Sequence, residues 1–250
     1  MANDLSPSKP GMPLPLAPAE HERAQRVRAL FGRITRRYDL MNRLMTAGRD
    51  QAWRRAAARA LGLNGTARVL DLATGTGDLA FAVREVYPQA HVVAMDFSEV
   101  ILREGVRKAR ARCEHHVAWA VGDALALPFP DGVFDGCTNA FLLRNVVNLE
   151  LALREMRRVV KPGGRVVCME ITHPQTPIFR ELFWVYFGRI VPLIGGAVAG
   201  DLQAYAYLPH SLSRFPAAEP LRRIMLAVGF REVHYRLLGL GAMAIHVGIA

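Results

Sequence analysis

Cysteine is scarce in this 250-residue chain, which has only Cys113, Cys137 and Cys168. An odd set so widely spaced neither frames a disulfide scaffold nor supplies the short Cys-x-x-Cys spacing of a metal site. No metal is therefore expected, and a reducing, cytoplasmic compartment is. A basic, apolar leader is missing too. The first twenty residues carry Pro7, Pro10, Pro13, Pro15 and Pro18 but no basic region followed by a continuous apolar one, which reads as a disordered tail over 1–20 rather than a secretory signal. Nor is any long apolar run unbroken. The longest, Leu182 to Ala199, is interrupted by Arg189, Pro192 and Gly195-Gly196, which argues for a buried or interfacial segment rather than an ordinary spanning helix. No internal repeat is evident.

Acidic residues are in deficit: 22 Asp and Glu face 32 Lys and Arg, for a formal charge of +10. The excess is local. Residues 21–59 hold eleven arginines against Glu22, Asp39 and Asp50, a surplus of +8. A solvated basic helix face accounts for such a run. Anionic lipid headgroups would attract it by about 1 kcal/mol per basic side chain near the surface, so a peripheral position at the inner membrane surface is one expectation. Nucleic acid is the competing polyanion.

With 51% hydrophobic residues, 21–250 can form one domain around a substantial core. Glu22 to Arg59 has helical spacing, and Leu40, Met41, Leu44 and Met45 form an apolar stripe, so 21–60 reads as a helical cap. From Ala67 onward, β-rich runs at Arg68–Leu72, His91–Met95, Val117–Val121, Gly136–Ala140 and Arg165–Ile171 alternate with helical stretches. That order predicts an α/β fold, a parallel sheet with helices on both faces. Lys161-Pro162-Gly163-Gly164 reads as a turn between a helix over Leu149–Val160 and a strand from Arg165. Residues 173–220, with Pro174, Pro177, Pro192, Pro209 and Pro216, break the alternation and read as an insertion over the active site. A helix over Glu219–Val228 and a terminal strand pair follow.

The run Val69-Leu70-Asp71-Leu72-Ala73-Thr74-Gly75-Thr76-Gly77-Asp78 is an apolar strand entering a glycine loop that opens a helix, which lets backbone approach a nucleotide-like ligand. Nineteen positions after Gly77, Asp96 ends the next strand, where a carboxylate can accept hydrogen bonds from ribose hydroxyls. The third glycine of a dinucleotide loop is missing. Asp71 and Asp78 also flank the loop, where they would oppose a pyrophosphate and suit a cationic ligand. S-adenosyl-L-methionine, with a sulfonium and an ammonium and no phosphate, fits better than a nicotinamide dinucleotide. Asp78 alone could be a helix-start residue; Asp71 and Asp96 are not explained that way. Gly122-Asp123-Ala124, ending the third strand, would address the adenine.

These residues resemble the ubiquinone/menaquinone C-methyltransferase family of Rossmann-like class I methyltransferases. The resemblance runs from about Tyr38 to the C-terminus. It rests on Tyr38-Asp39-Leu40-Met41-Asn42, on Gly48 with Trp53 and Arg54, and on Leu127-Pro128-Phe129-Pro130-Asp131 with Phe134-Asp135. Phe141-Leu142-Leu143-Arg144-Asn145-Val146 is its most specific element, and Tyr205, Tyr207-Leu208, Ser211 and Ala244-Ile245-His246 extend it. Leu142 stands where the family signature has glycine, which is expected to narrow the pocket beside Arg144.

The resemblance implies a mostly parallel seven-stranded sheet and methyl transfer from S-adenosyl-L-methionine to a ring carbon of a prenylated quinol. It implies no nucleic-acid partner and leaves monomer and homodimer open. A ring hydroxyl near pKa 10 must fall by roughly three units to ionise at neutral pH, worth about 4 kcal/mol. Arg144 is the candidate to stabilise that phenolate and Asn145 to orient it; a structural pair with a carboxylate of the insertion is the alternative for Arg144. Cofactor contacts are expected from Asp71, Gly75, Thr76, Gly77, Asp96, Asp123, Ala124 and Ala140, and substrate contacts from Tyr205, Tyr207 and His210. The aromatics Phe179, Phe183, Trp184, Tyr186 and Phe187 could line a prenyl channel or merely pack between helices. His246 is read as structural rather than as a base. Rival readings are a class I methyltransferase for another small molecule, a lipid, a sterol or tRNA, and a non-catalytic nucleotide-binding or membrane-surface protein.

Overall fold

The computed structural model describes Glu22, Gln25, Gly32 and residues 37–199 and 202–250. The expected tail over 1–20 and most of 21–36 lie outside the described residues. Two helices of the expected cap, α1 (Tyr38–Met45) and α2 (Asp50–Ala60), precede the sheet.

The sheet is built from β1 (Arg68–Leu72), β2 (His91–Asp96), β3 (Val117–Val121), β4 (Phe134–Ala140), β5 (Val160–Ile171), β6 (Val233–Leu238) and β7 (Met243–Ile249). Its order is β3-β2-β1-β4-β5-β7-β6; β1 to β5 pair in parallel, and β7 runs antiparallel to both β5 and β6. The central strands are apolar because helices cover both faces. Thus Val69, Leu70 and Leu72 of β1 and Val166 to Met169 of β5 are buried.

On one face α5 (Leu149–Val159) buries Ala152, Leu153, Met156 and Val159, the spacing of a single helical stripe. Asn148 starts that helix by accepting the Leu151 N–H at 3.0 Å. The α9 helix (Ala218–Ala227) joins the same core through Leu221 and Met225. On the other face α2 and α3 (Asp78–Val86) pack Ala57, Ala58, Leu79, Ala80 and Val83 against the sheet, and α4 (Glu99–Ala111) contributes Ala109.

The structure differs from the sequence reading around Lys161-Pro162-Gly163-Gly164. Those residues bulge out of β5 instead of preceding it. Pairing of Phe134 with Val160 is followed by pairing of Gly136 with Arg165, and the β4–β5 ladder is already prepared by Val133 N–H donating to the Val159 carbonyl at 2.9 Å.

Residues 177–213 form a continuous helical stretch followed by a second helix: α6 (Pro177–Val185), a π-helical turn (Tyr186–Ile190), α7 (Val191–Ala199) and α8 (Leu202–Ser213). Pro192 and the glycine pair do not break the helix as their positions suggest. The wide turn just upstream relieves the clash a proline ring makes with the carbonyl four residues back. Gly195 lets α7 approach α8, because a Cβ there would lie 2.2 Å from the Tyr205 ring. These helices and α1 share a third core of Met41, Phe183, Phe187, Val191, Tyr205 and Leu212. By length and composition Pro177–Val198 could cross a membrane, and 22% of that stretch is buried.

Candidate active site

The strand order reverses between β1 and β4, the place where open α/β sheets bind ligands beyond the carboxyl ends of their strands. A cavity opens there. It is lined by Ala73 and Gly75 after β1, Asp96 and Phe97 after β2, Gly122 to Leu125 after β3, and Ala140 to Leu142 after β4, with Tyr38, Ile101 and Asn145 to Val147 closing it. Two non-glycine residues in its wall, Ala73 and Phe141, have φ of 53° and 62°. Such left-handed backbone persists where surrounding structure holds it, commonly around ligands.

The acids of the cleft have distinct roles. Asp96 Oδ2 accepts the Gly75 N–H at 2.9 Å and its Oδ1 accepts the Ser98 N–H at 2.9 Å, so the carboxylate fastens the glycine loop to the end of β2 while lining the cavity. Asp123 Oδ1 accepts the Leu125 N–H at 2.9 Å and forms the turn after β3. Asp71 is fully buried and accepts hydroxyl protons from Thr74 at 2.6 Å and Thr138 at 2.8 Å. Burial pushes its carboxyl up to about 6 against those bonds.

Asp78 behaves oppositely. Burial works to raise its pKa, but Lys108, which forms an ion pair with it, and Arg54 outweigh burial and hold it below the usual carboxylate value. Gln51 Nε2 also donates to it at 3.2 Å. Both flanking acids thus help to build the loop through these bonds.

A small polar pocket adjoins the cleft and is lined by Asp71, Thr74, Thr76, Asp78, Arg54 and Tyr38 among others. Thr76 donates to Asp39 at 2.6 Å, and Lys108 bonds Asp39 at 2.8 Å and Thr76 at 3.0 Å, so α1 is tied to the glycine loop. Gly77 lines neither space. At φ 86° it lets the loop pass Trp119, whose ring a Cβ would meet at 2.5 Å.

A second, larger cavity of about 430 Å³ lies beside the first and shares Tyr38 and Phe141 with it. Its wall is mostly apolar and aromatic, with Phe179, Phe183, Tyr186 and Phe187 from 177–190, Tyr205 and Leu208 from α8, and Met45 and Trp53 from the cap. Trp184 is absent from this wall and packs edge-on to Phe183 instead.

Arg144 is the buried cation in the wall, forming an ion pair with Glu170 on β5. Burial raises the Glu170 carboxyl, and Arg144 opposes that rise. The Arg144 Nε has no hydrogen-bond partner among the described residues. Asn145 faces the first cavity: its Nδ2 donates to the Phe141 carbonyl at 2.7 Å, and its Oδ1 has no partner among the described residues.

Of the residues expected from sequence, the first cavity brings together Gly75, Asp96, Asp123, Ala124, Ala140 and Asn145, the polar pocket takes Asp71 and Thr76, and the second cavity takes Arg144 and Tyr205. Tyr207 and His210 are not brought in, because at about 100° per residue they point roughly 160° and 140° away from Tyr205 around α8; His210 is exposed. Leu142 lines the first cavity, not the space beside Arg144. His246 is buried and its Nε2 lies 2.8 Å from the Ala218 carbonyl, tying β7 to α9. Burial lowers its pKa. Sequence reasoning assigned no role to Glu170, whose signal was an acid within the otherwise apolar run Val166–Ile171. It also missed Tyr38 and Arg54 as lining residues.

The family model described as the ubiE/COQ5 methyltransferase family matches residues 19–250. A demethylmenaquinone methyltransferase of Thermus thermophilus is 48% identical over 219 residues, 88% of this chain and 99% of that protein. A ubiquinone/menaquinone biosynthesis C-methyltransferase of a Geobacter species is 41% identical over 230 residues, 91% of this chain and 97% of that protein. Among solved structures, a possible histamine N-methyltransferase of Thermotoga maritima superposes with TM-score 0.64 at 18% identity over 89% of this chain and 99% of that one. A methyltransferase of Aquifex aeolicus does so with TM-score 0.61 at 17% identity, covering 85% and 98%.

Proposed function

The chain belongs to the ubiE/COQ5 methyltransferase family, and from that premise we propose that it methylates a ring carbon of a prenylated quinol, demethylmenaquinol being the first acceptor to test. The observation that carries this reading is the pair of adjoining cavities sharing Tyr38 and Phe141: one at the switch point of the sheet, the other aromatic and apolar with a buried arginine. S-adenosyl-L-methionine is the methyl donor, and the residues present fit it. Asp96 suits ribose hydroxyls, Asp123 and Ala124 sit where an adenine would be read, and the polar pocket offers both an arginine and acids to a zwitterionic end. When bound, it supplies an electrophilic methyl group on a good leaving group.

The chain's own task is then to orient the acceptor and enrich its ring in electrons. Arg144, desolvated and with an Nε donor to spare, stabilises a phenolate oxygen, and Glu170 holds its guanidinium in one orientation. The Oδ1 of Asn145 is open to a hydroxyl donor. The aromatic cavity takes the ring and the start of the prenyl tail. Helices α6–α8 act as the substrate-covering insertion. Their exposed Ile178, Leu182, Val185 and Leu193, with Arg180 and Arg189 in the same stretch, lie against a lipid surface from which such a substrate is drawn.

The test is methyl transfer from labelled S-adenosyl-L-methionine to reduced demethylmenaquinol and to a demethylated benzoquinol, with Arg144→Ala and Asp96→Ala beside the wild type. Carbon-methylated product from the wild type, reduced at least about 100-fold in both variants, is expected. A wild type that binds the donor but methylates neither ring overturns the quinol reading.

A further inference from the structure

Tyr38, Asn42 and Met45 recur at the four- and three-residue spacing of one helix face, and all three line the second cavity. Asn42 stands out there. It is 7% exposed, its Nδ2 has no hydrogen-bond partner among the described residues, and the phenolate chemistry assigned to Arg144 and Asn145 does not use it. Burial raises the Tyr38 phenol while Arg54 and the nearby Asn42 amide oppose that rise, but the contact of Asn42 with Tyr38 falls short of hydrogen-bond geometry. A buried amide N–H left unpaired is destabilising and rare, and asparagine is a poor helix former besides. An apolar residue would suit this wall better unless a bound molecule completes the bond. The Arg144 Nε, in the same wall, also lacks a partner among the described residues. Two buried N–H groups in a mostly apolar cavity match a flat apolar ligand that carries an oxygen at each of two edges.

We propose that Asn42 holds the second oxygen of the acceptor: its Nδ2 donates to the ring oxygen para to the phenolate that Arg144 stabilises. This rests on reading the second cavity as the quinol site. A ring gripped at one oxygen can pivot about it, whereas a ring gripped at both keeps a single line through the cavity, which fixes where its carbons fall. Asn42 is thus a specificity residue, selecting rings with two para oxygens over phenols and sterols with one.

The experiment is calorimetric binding of two short-tailed probes, under reducing conditions and with saturating S-adenosylhomocysteine, to wild type and Asn42→Leu. One probe is a prenylated naphthalene diol with para hydroxyls; the other is the matching naphthol, which keeps the phenolate-forming hydroxyl and lacks its para partner. The wild type is expected to bind the diol roughly 5- to 30-fold more tightly than the naphthol, the range for pairing a buried neutral N–H. In Asn42→Leu the diol should lose that advantage while the naphthol binds as before. Equal binding of the two probes by the wild type, or a substitution that weakens both alike or neither, overturns the assignment to Asn42. Failure of the wild type to bind either probe overturns the quinol reading itself. Should Asn42→Leu not fold, Asn42→Ser shortens the side chain and keeps it polar, and a loss confined to the diol is expected again.

Discussion

Asp71 titrates in a range that makes its burial measurable. Its carboxyl rises from 3.8 to about 6 on folding, chiefly through desolvation. Between those values the folded chain holds a proton that the unfolded chain has released, so stability is lost as pH rises from about 4 to 6 and the loss is complete above that. Over this window the unfolding free energy of the wild type should fall by about 3 kcal/mol more than that of Asp71→Asn; parallel profiles in urea titrations would refute the assignment. Glu170 offers a second test. Glu170→Ala leaves Arg144 buried and uncompensated, and a loss of about 3–5 kcal/mol is expected in the same titrations. At this scale the sequence made Gly75, Asp96, Asp123 and Ala124 legible, because strand, loop and helix recur in an order that puts strand ends together. Tyr38, Arg54 and Glu170 were harder to read, since what they touch depends on how the cap meets the sheet, which no local spacing encodes.

Among the elements, α1 is tied to the glycine loop through one side chain, Lys108. Lys108 on α4 bonds Asp39 of α1, Thr76 of the glycine loop and Asp78 at the start of α3. Asp78 is held below its ordinary pKa, so its contribution to stability is present above about pH 4 and is lost as pH falls through the folded value. Lys108→Met removes the main cause of that depression. Its expected outcome is a loss of about 2 kcal/mol at neutral pH and a weaker dependence on pH in the acid range, followed by circular dichroism. The strands and α5 were legible element by element because their apolar runs and caps are local. The helical continuity through Pro192 was not, because a π-helical turn that spares a proline leaves no mark in composition.

For the whole molecule, the exposed apolar residues of Ile178 to Leu193 and the arginines near them define a face. Leu182→Ser combined with Leu193→Ser should reduce co-sedimentation with anionic vesicles roughly 10-fold, while turnover of a short-tailed quinol in solution stays near the wild-type value. Unchanged sedimentation would overturn the proposed lipid-facing role of α6 and α7. The alternating pattern foretold the parallel sheet; the neighbourhood of β7 with β5 was set by pairing across about 80 residues and lay beyond local reading. Tyr38 and Phe141, the partition common to both cavities, carry one more consequence. Any adjustment of these two rings on filling one chamber alters the free energy of filling the other, and thermodynamic linkage makes that coupling symmetric. Whatever factor the donor contributes to acceptor affinity, the acceptor must return to the donor.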